Sequence, residues 1–87
     1  MTASQEIRQF IETALRRQGI EIVLSQDYPL IDNDLLDSLM LMELISFLEE
    51  SFSIVVDSAD IVPENFATVG AIAVLVARQQ QAGQSSP

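Results

Sequence analysis

Apolar side chains return at helical spacing in three separate stretches of this chain, and that period confines it to a helical fold. Ile7, Phe10, Ile11, Ala14 and Leu15 form the first stripe. Leu41, Leu44, Ile45, Leu48 and Phe52 form the second, on a helix predicted over Ser38 to Ser51 with Phe47 and Met40 on its flank. Val69, Ile72, Ala73 and Val76 form the third. Punctuation accompanies each stripe. Thr2-x-x-Gln5 has the form of a capping box ahead of the first, Gly19 stands where a C-terminal glycine would end it, and Thr68 is placed to cap the last. Pro63-Glu64-Asn65-Phe66 reads as a further short helical turn with proline at its first position. Between Gly19 and Leu36 the period lapses, yet Ile20, Ile22, Leu24, Tyr28, Leu30, Leu35 and Leu36 remain. A loop this long and this apolar is expected to lie packed across the domain. Ile22 to Leu24 and Ile54 to Val56 are short strand-like runs that are not expected to pair. The expected fold is therefore all-α, a small four-helix bundle with a long loop between helices 1 and 2 and a short third helix. It occupies residues 1–78, and residues 79–87 have the Gln/Gly/Ser/Pro composition of a disordered tail.

At 87 residues and 48% hydrophobic content the chain can build one modest core. Cysteine, histidine and lysine are all absent. That removes disulfides, thiol chemistry and a zinc site of the usual nitrogen and sulfur ligands. It also leaves no obvious base to turn a serine into a hydrolytic nucleophile, so no catalytic residue is expected. The net charge is −9, and no basic residue occurs from Gln18 to Ala77. Such a surface repels nucleic acid and anionic lipid and attracts basic patches on proteins. The longest apolar run, Ala71 to Ala77, is far too short to span a bilayer, and the first ten residues lack the pattern of a signal peptide. A cytoplasmic monomer without membrane contact is expected. Asp32, Asp34 and Glu43 occupy the first, third and twelfth places of an EF-hand-like loop, but Leu36 stands where a ligand is needed and Asp37 where the turn calls for glycine. No metal site is expected.

Asp37-Ser38-Leu39 opens the second helix. A serine before an apolar run commonly does nothing but cap it. The field at a helix start supports a second reading, because free N–H groups and the dipole favour a phosphate bonded there. The Ser38 hydroxyl would then be the attachment point of a group that is carried, not transformed. Asp37 could help hold a magnesium ion while a separate enzyme makes the bond.

Leu36-Asp37-Ser38-Leu39, Met42-Glu43-Leu44, Leu48-Glu49-Glu50-Ser51-Phe52-Ser53-Ile54 and Pro63-Glu64-Asn65-Phe66-Ala67-Thr68-Val69 resemble segments of the acyl carrier protein family, and the resemblance covers most of the chain. It implies that Ser38, flanked by Asp37 and Leu39, carries 4'-phosphopantetheine transferred from coenzyme A by a phosphopantetheinyl transferase. The terminal thiol of that arm would hold acyl or aminoacyl groups as thioesters. Leu39, Met42, Glu43, Glu49 and Glu50 would meet basic patches on the transferase and on loading and condensing enzymes. Fatty-acid carriers usually have Gly-Ala before the motif and an acidic residue after it, where this chain has Leu35-Leu36 and Met40. The resemblance therefore leans toward stand-alone carriers of polyketide, nonribosomal-peptide or aminoacyl pathways, with a fatty-acid carrier as the alternative. Leu41, Ile45, Phe66 and Ile72 are candidates for a cargo cleft, with ordinary core packing as the competing reading. A further alternative is an unmodified helical adaptor that docks through the same acidic face while Ser38 only caps.

Overall fold

α1 (Ala3–Arg17), α2 (Ser38–Phe52) and α3 (Val69–Gln84) are the α-helices of the computed structural model, which describes residues 2–84. Among the described residues there is no β-strand, so Ile22 to Leu24 and Ile54 to Val56 do not pair.

The limits of α1 follow from its end residues. Thr2 Oγ1 accepts the Gln5 N–H at 3.2 Å while Gln5 Oε1 accepts the Thr2 N–H at 2.9 Å. The reciprocal pair satisfies two of the donors that a helix start leaves over. At the other end Gly19 adopts φ +86°. The Gly19 N–H then donates to Arg16 O and the Ile20 N–H to Leu15 O, each at 2.9 Å. This pair of bonds requires a left-handed residue between helix and exit, which glycine supplies without a Cβ clash. Thr68 Oγ1 accepts the Ala71 N–H at 3.0 Å and so caps α3 as expected.

Ile7, Ile11, Ala14 and Leu15 of α1 meet Met40, Leu44 and Leu48 of α2 and Val69, Ile72, Leu75 and Val76 of α3 in one core. Leu24, Leu30, Ile54, Val56 and Phe66 from the connections complete it. The buried row of α2 differs from the expected stripe. Met40, assigned to a flank, is 2% exposed, whereas Leu41, Ile45 and Phe52 are only half-buried. The side that bears Leu41 meets loop and turn residues, which leave a groove there instead of a close-packed helix. Phe10 and Phe47 stack with ring centroids 4.4 Å apart, and Phe52 meets Phe47 edge-on at 6.2 Å. These half-buried rings join α1 to α2.

Among the described residues three α-helices are present where a four-helix bundle with a short third helix was expected. Between α2 and α3 the chain makes two single 3₁₀ turns, Ser58–Asp60 and Pro63–Asn65. Asp57 Oδ1 accepts the Ala59 N–H at 3.2 Å and Asn65 Nδ2 donates to Asp60 O at 2.8 Å. Such local side-chain bonds compete with continuation of a helix. α3 in turn runs further than expected, so residues 79–84 belong to it and not to a tail. Arg78 donates to Asn65 Oδ1 at 3.2 Å and Gln79 to Asp60 Oδ2 at 2.8 Å, which ties this part of α3 to the two turns. The rest of the expected tail, residues 85–87, lies outside the described residues.

The loop of residues 18–37 runs back along α1. The Leu24 N–H donates to Glu12 Oε2 at 2.8 Å, and Gln26 Nε2 donates to Ser4 Oγ at 2.7 Å. It is then stitched to the start of α3, where the Gly70 N–H donates to Gln26 O at 2.9 Å and the Leu30 N–H to Ala67 O at 2.8 Å. A Cβ at residue 70 would stand 3.3 Å from Gln26 O, so glycine permits this approach. With Leu24 and Leu30 fully buried, the loop is part of the core, as its apolar content implied.

Candidate functional site

The structure separates the roles of the two residues that open α2. Asp37 is the N-cap, with extended backbone at φ −89° and ψ −179°. Its Oδ1 accepts the Met40 N–H at 2.8 Å and its carbonyl accepts the Leu41 N–H at 2.9 Å. Ser38 is the first helical residue and is exposed. Its hydroxyl makes no hydrogen bond among the described residues, so it does not cap α2. At the N-cap a carboxylate has the advantage over a hydroxyl of opposing the positive end of the helix dipole. The rest of the first turn carries no acidic side chain. The N–H groups of Ser38 and Leu39 therefore remain open to an anion, as the leading donors of a helix do. A phosphate ester on Ser38 Oγ fits these residues: the oxygen is accessible and unengaged, and donors stand beside it. Asp37 is the opposing charge, held back by its bond to Met40, and its Oδ2 is free of partners among the described residues and open to a cation.

Beyond Ser38, α2 presents an apolar-to-acidic face. Leu39 is 69% exposed and Met42 65%, and Glu43 and Glu50 are exposed. Glu49 is different. It is half-buried, and its Oε2 accepts the Val56 N–H at 3.0 Å. Sequence reasoning placed all three glutamates on one docking face and missed this bond. A signal was present, since a carboxylate in the last turn of a helix opposes the dipole and calls for a compensating donor. The ion pair found among the described residues joins Arg8 Nε to Glu12 Oε2 at 4.0 Å on α1, leaving the α2 carboxylates without a basic partner there.

A groove of about 250 Å³ adjoins the start of α2. Leu36 and Leu41, two before and three after Ser38, form one wall, and Ile31, Ile61, Val62, Pro63 and Phe66 complete it. Of the four cleft candidates, Leu41 and Phe66 line the groove, whereas Ile45 does not and Ile72 is fully buried in the core. Ile31, Ile61 and Val62 were not anticipated, because nothing local in the sequence says which loop residues will face a particular helix. Asp32, Asp34 and Glu43 are not gathered into a cation-binding cluster; among the described residues no three acidic side chains are so arranged. No helix among the described residues is long and apolar enough to cross a membrane.

Comparison with known proteins gives a family match, described as the phosphopantetheine attachment site, over residues 5–76. No curated protein matches the chain. Among solved structures, the chain is similar to one described as "Crystal structure of FAD-dependent dehydrogenase", with a TM-score of 0.72 and 28% identity. The match covers 80% of this chain and 97% of that one, so the matched chain is itself of about this size.

Proposed function

The chain belongs to the phosphopantetheine attachment-site family, and we propose that Ser38 is its attachment residue in a carrier of acyl or aminoacyl intermediates, of the kind used in polyketide, nonribosomal-peptide or related specialised metabolism. The covalent 4'-phosphopantetheine of this family supplies, when bound, a terminal thiol on which such groups are held as thioesters. One observation carries the assignment to Ser38: its hydroxyl is exposed at the first position of α2 while Asp37 does the capping. The unmodified-adaptor reading gives Ser38 a capping role, which Asp37 fills in this structure.

The chain's own residues have distinct parts in this reading. Ser38 offers its oxygen to a phosphopantetheinyl transferase, and Asp37 holds the helix start and offers Oδ2 to the metal that accompanies the donor. Leu39 and Met42 supply apolar contacts, and the exposed carboxylates of α2 steer basic partners, setting association rate and salt dependence more than final affinity. The groove beside Leu36 and Leu41 shelters an apolar portion of the cargo from water. The absence of histidine, cysteine and lysine supports leaving the chemistry to partner enzymes that load and condense the carried group. The similarity to a chain from an FAD-dependent dehydrogenase structure supports adding a flavoenzyme to those partners. Leu35-Leu36 and Met40 around the motif favour a specialised pathway over fatty-acid synthesis.

Intact-mass analysis tests the proposal after incubation with coenzyme A and a broad-specificity phosphopantetheinyl transferase. The expected result is one added phosphopantetheine on the parent chain and none on Ser38→Ala. A parent chain that gains no mass, or a variant that still does, would refute it.

A further inference from the structure

We infer that Glu49 is a positioning residue that pins the connection after α2, and not one of the charges of α2 that partners read. The inference rests on the carrier reading only for what the face docks; the pinning itself belongs to the unmodified chain.

Glu49 occupies the last turn of α2, a turn without a basic residue. There the dipole and the adjacent Glu50 both oppose a carboxylate. What offsets them is a charge-assisted bond, about twice as strong as a neutral one, from the Val56 N–H at 3.0 Å. That donor has a particular need for it. Val56 is 8% exposed and Ile54 7%, while Val55 between them is 76% exposed. Between these buried side chains the Val56 N–H bond is itself part-buried, where a donor must be paired. No backbone-to-backbone bond holds Ile54, Val55 or Val56 among the described residues. Ser53, which ends α2 in the left-handed region at φ 54°, makes no capping bond of the kind seen at Gly19 among the described residues. Among the described residues the Glu49 carboxylate is thus a polar tie between α2 and the chain that leads on to Ile61 and Val62 in the groove wall. α1 shows the same device, with Glu12 taking the Leu24 N–H of its following loop at 2.8 Å. Glu43 and Glu50 make no such bond among the described residues and are fully available to a basic partner.

Two substitutions separate the roles. Glu49→Gln removes the charge but keeps an acceptor of the same reach, whereas Glu49→Asp keeps the charge and withdraws it from Val56. Amide hydrogen exchange at Val56 is read by NMR on the unmodified chain, and initial rates of pantetheine transfer from coenzyme A are read over a salt series. Glu49→Asp is expected to speed Val56 exchange on the order of tenfold or more. Glu49→Gln is expected to change that exchange by no more than about threefold and to keep the parental salt slope. Glu43→Gln and Glu50→Gln should each flatten the slope and leave Val56 exchange unchanged. Parental exchange in Glu49→Asp, or a slope flattened by Glu49→Gln as much as by Glu50→Gln, would overturn the inference. If the transferase modified none of the chains, the carrier reading would fail while Val56 exchange would still decide the role of Glu49.

Discussion

Replacing Asp37 and Ser38 one at a time should give opposite results for stability and for modification, although the residues are adjacent. Asp37→Ala removes the acceptor of the Met40 N–H, a bond of 2.8 Å. Loss of an N-cap typically costs about 1 kcal/mol. Loss of a carboxylate facing the positive end of the dipole adds about 0.3 to 1 kcal/mol. The expected total is roughly 1 to 2 kcal/mol. In a domain of this size each kcal/mol lowers Tm by about 4 to 8 °C, so a fall on the order of 10 °C is expected. Asp37→Asn retains an oxygen at the cap and should lose about half of that or less. Ser38→Ala breaks no side-chain hydrogen bond among the described residues, and alanine is the better helix former by a few tenths of a kcal/mol. Its Tm should therefore stay within about 3 °C of the parent or rise slightly, while it accepts no pantetheine. Thermal melts followed by far-ultraviolet circular dichroism, with urea titrations as a second measure, give the comparison. A Ser38→Ala chain that melts as early as Asp37→Ala would mean that Ser38 caps α2 in solution, and the argument from a free hydroxyl would fall.

The two helix exits predict opposite signs for similar changes. Gly19→Ala places a Cβ at φ +86° with no heavy atom near it, so a loss of about 1 kcal/mol should appear as a lower urea midpoint from backbone strain alone. Ser53→Gly relieves a left-handed serine at φ 54° and should stabilise the chain by about 0.5 to 1 kcal/mol, read as a higher urea midpoint. Leu44→Ala empties a fully buried position in the Met40-Leu44-Leu48 row and should cost about 2 to 5 kcal/mol, enough to bring partial unfolding within reach of a room-temperature urea titration. Glu43→Lys should slow pantetheine transfer several-fold at low ionic strength, with the difference shrinking in ~0.5 M salt as screening shortens the reach of charge. A salt-independent defect would point instead to misfolding.

Where a residue type has one strong local role, the sequence is legible. Thr2 with Gln5, Gly19 and Thr68 all act on groups within a few positions of themselves, and the structure shows each in its expected place. Ambiguity entered where two neighbours could do the same job. Asp37 and Ser38 are both good caps, and only the backbone bond to Met40 decides between them. Met40 and Leu41 are similarly exchangeable in a pattern of apolar residues. Which of them is buried depends on what covers α2: Met40 enters the core shared with α1 and α3, whereas Leu41 meets loop and turn residues. Pro63–Asn65 is a 3₁₀ turn where a short helix is expected, because proline at the first position signals both equally well; Ser58–Asp60 carries no such signal, and the Asp60 and Asn65 bonds that hold the two turns are set by tertiary structure. Glu49 looked like its neighbours because exposure and charge are local guesses, whereas its bond to Val56 spans the end of the helix.

The stitches from Leu30 to Ala67 and from Gln26 to Gly70 have a consequence for biosynthesis. They close long spans of chain, and contacts of that kind form late because the ends must first be brought together. A ribosome that has produced Ser38 but not yet Ala67 holds a nascent chain whose loop has nothing to fasten to. The transferase would meet its docking surface only after the last helix has emerged, so the graft would follow synthesis instead of accompanying it. A chain arrested at residue 60 and offered coenzyme A and transferase should stay bare, and its modification would show that the surroundings of Ser38 assemble without the final third of the chain.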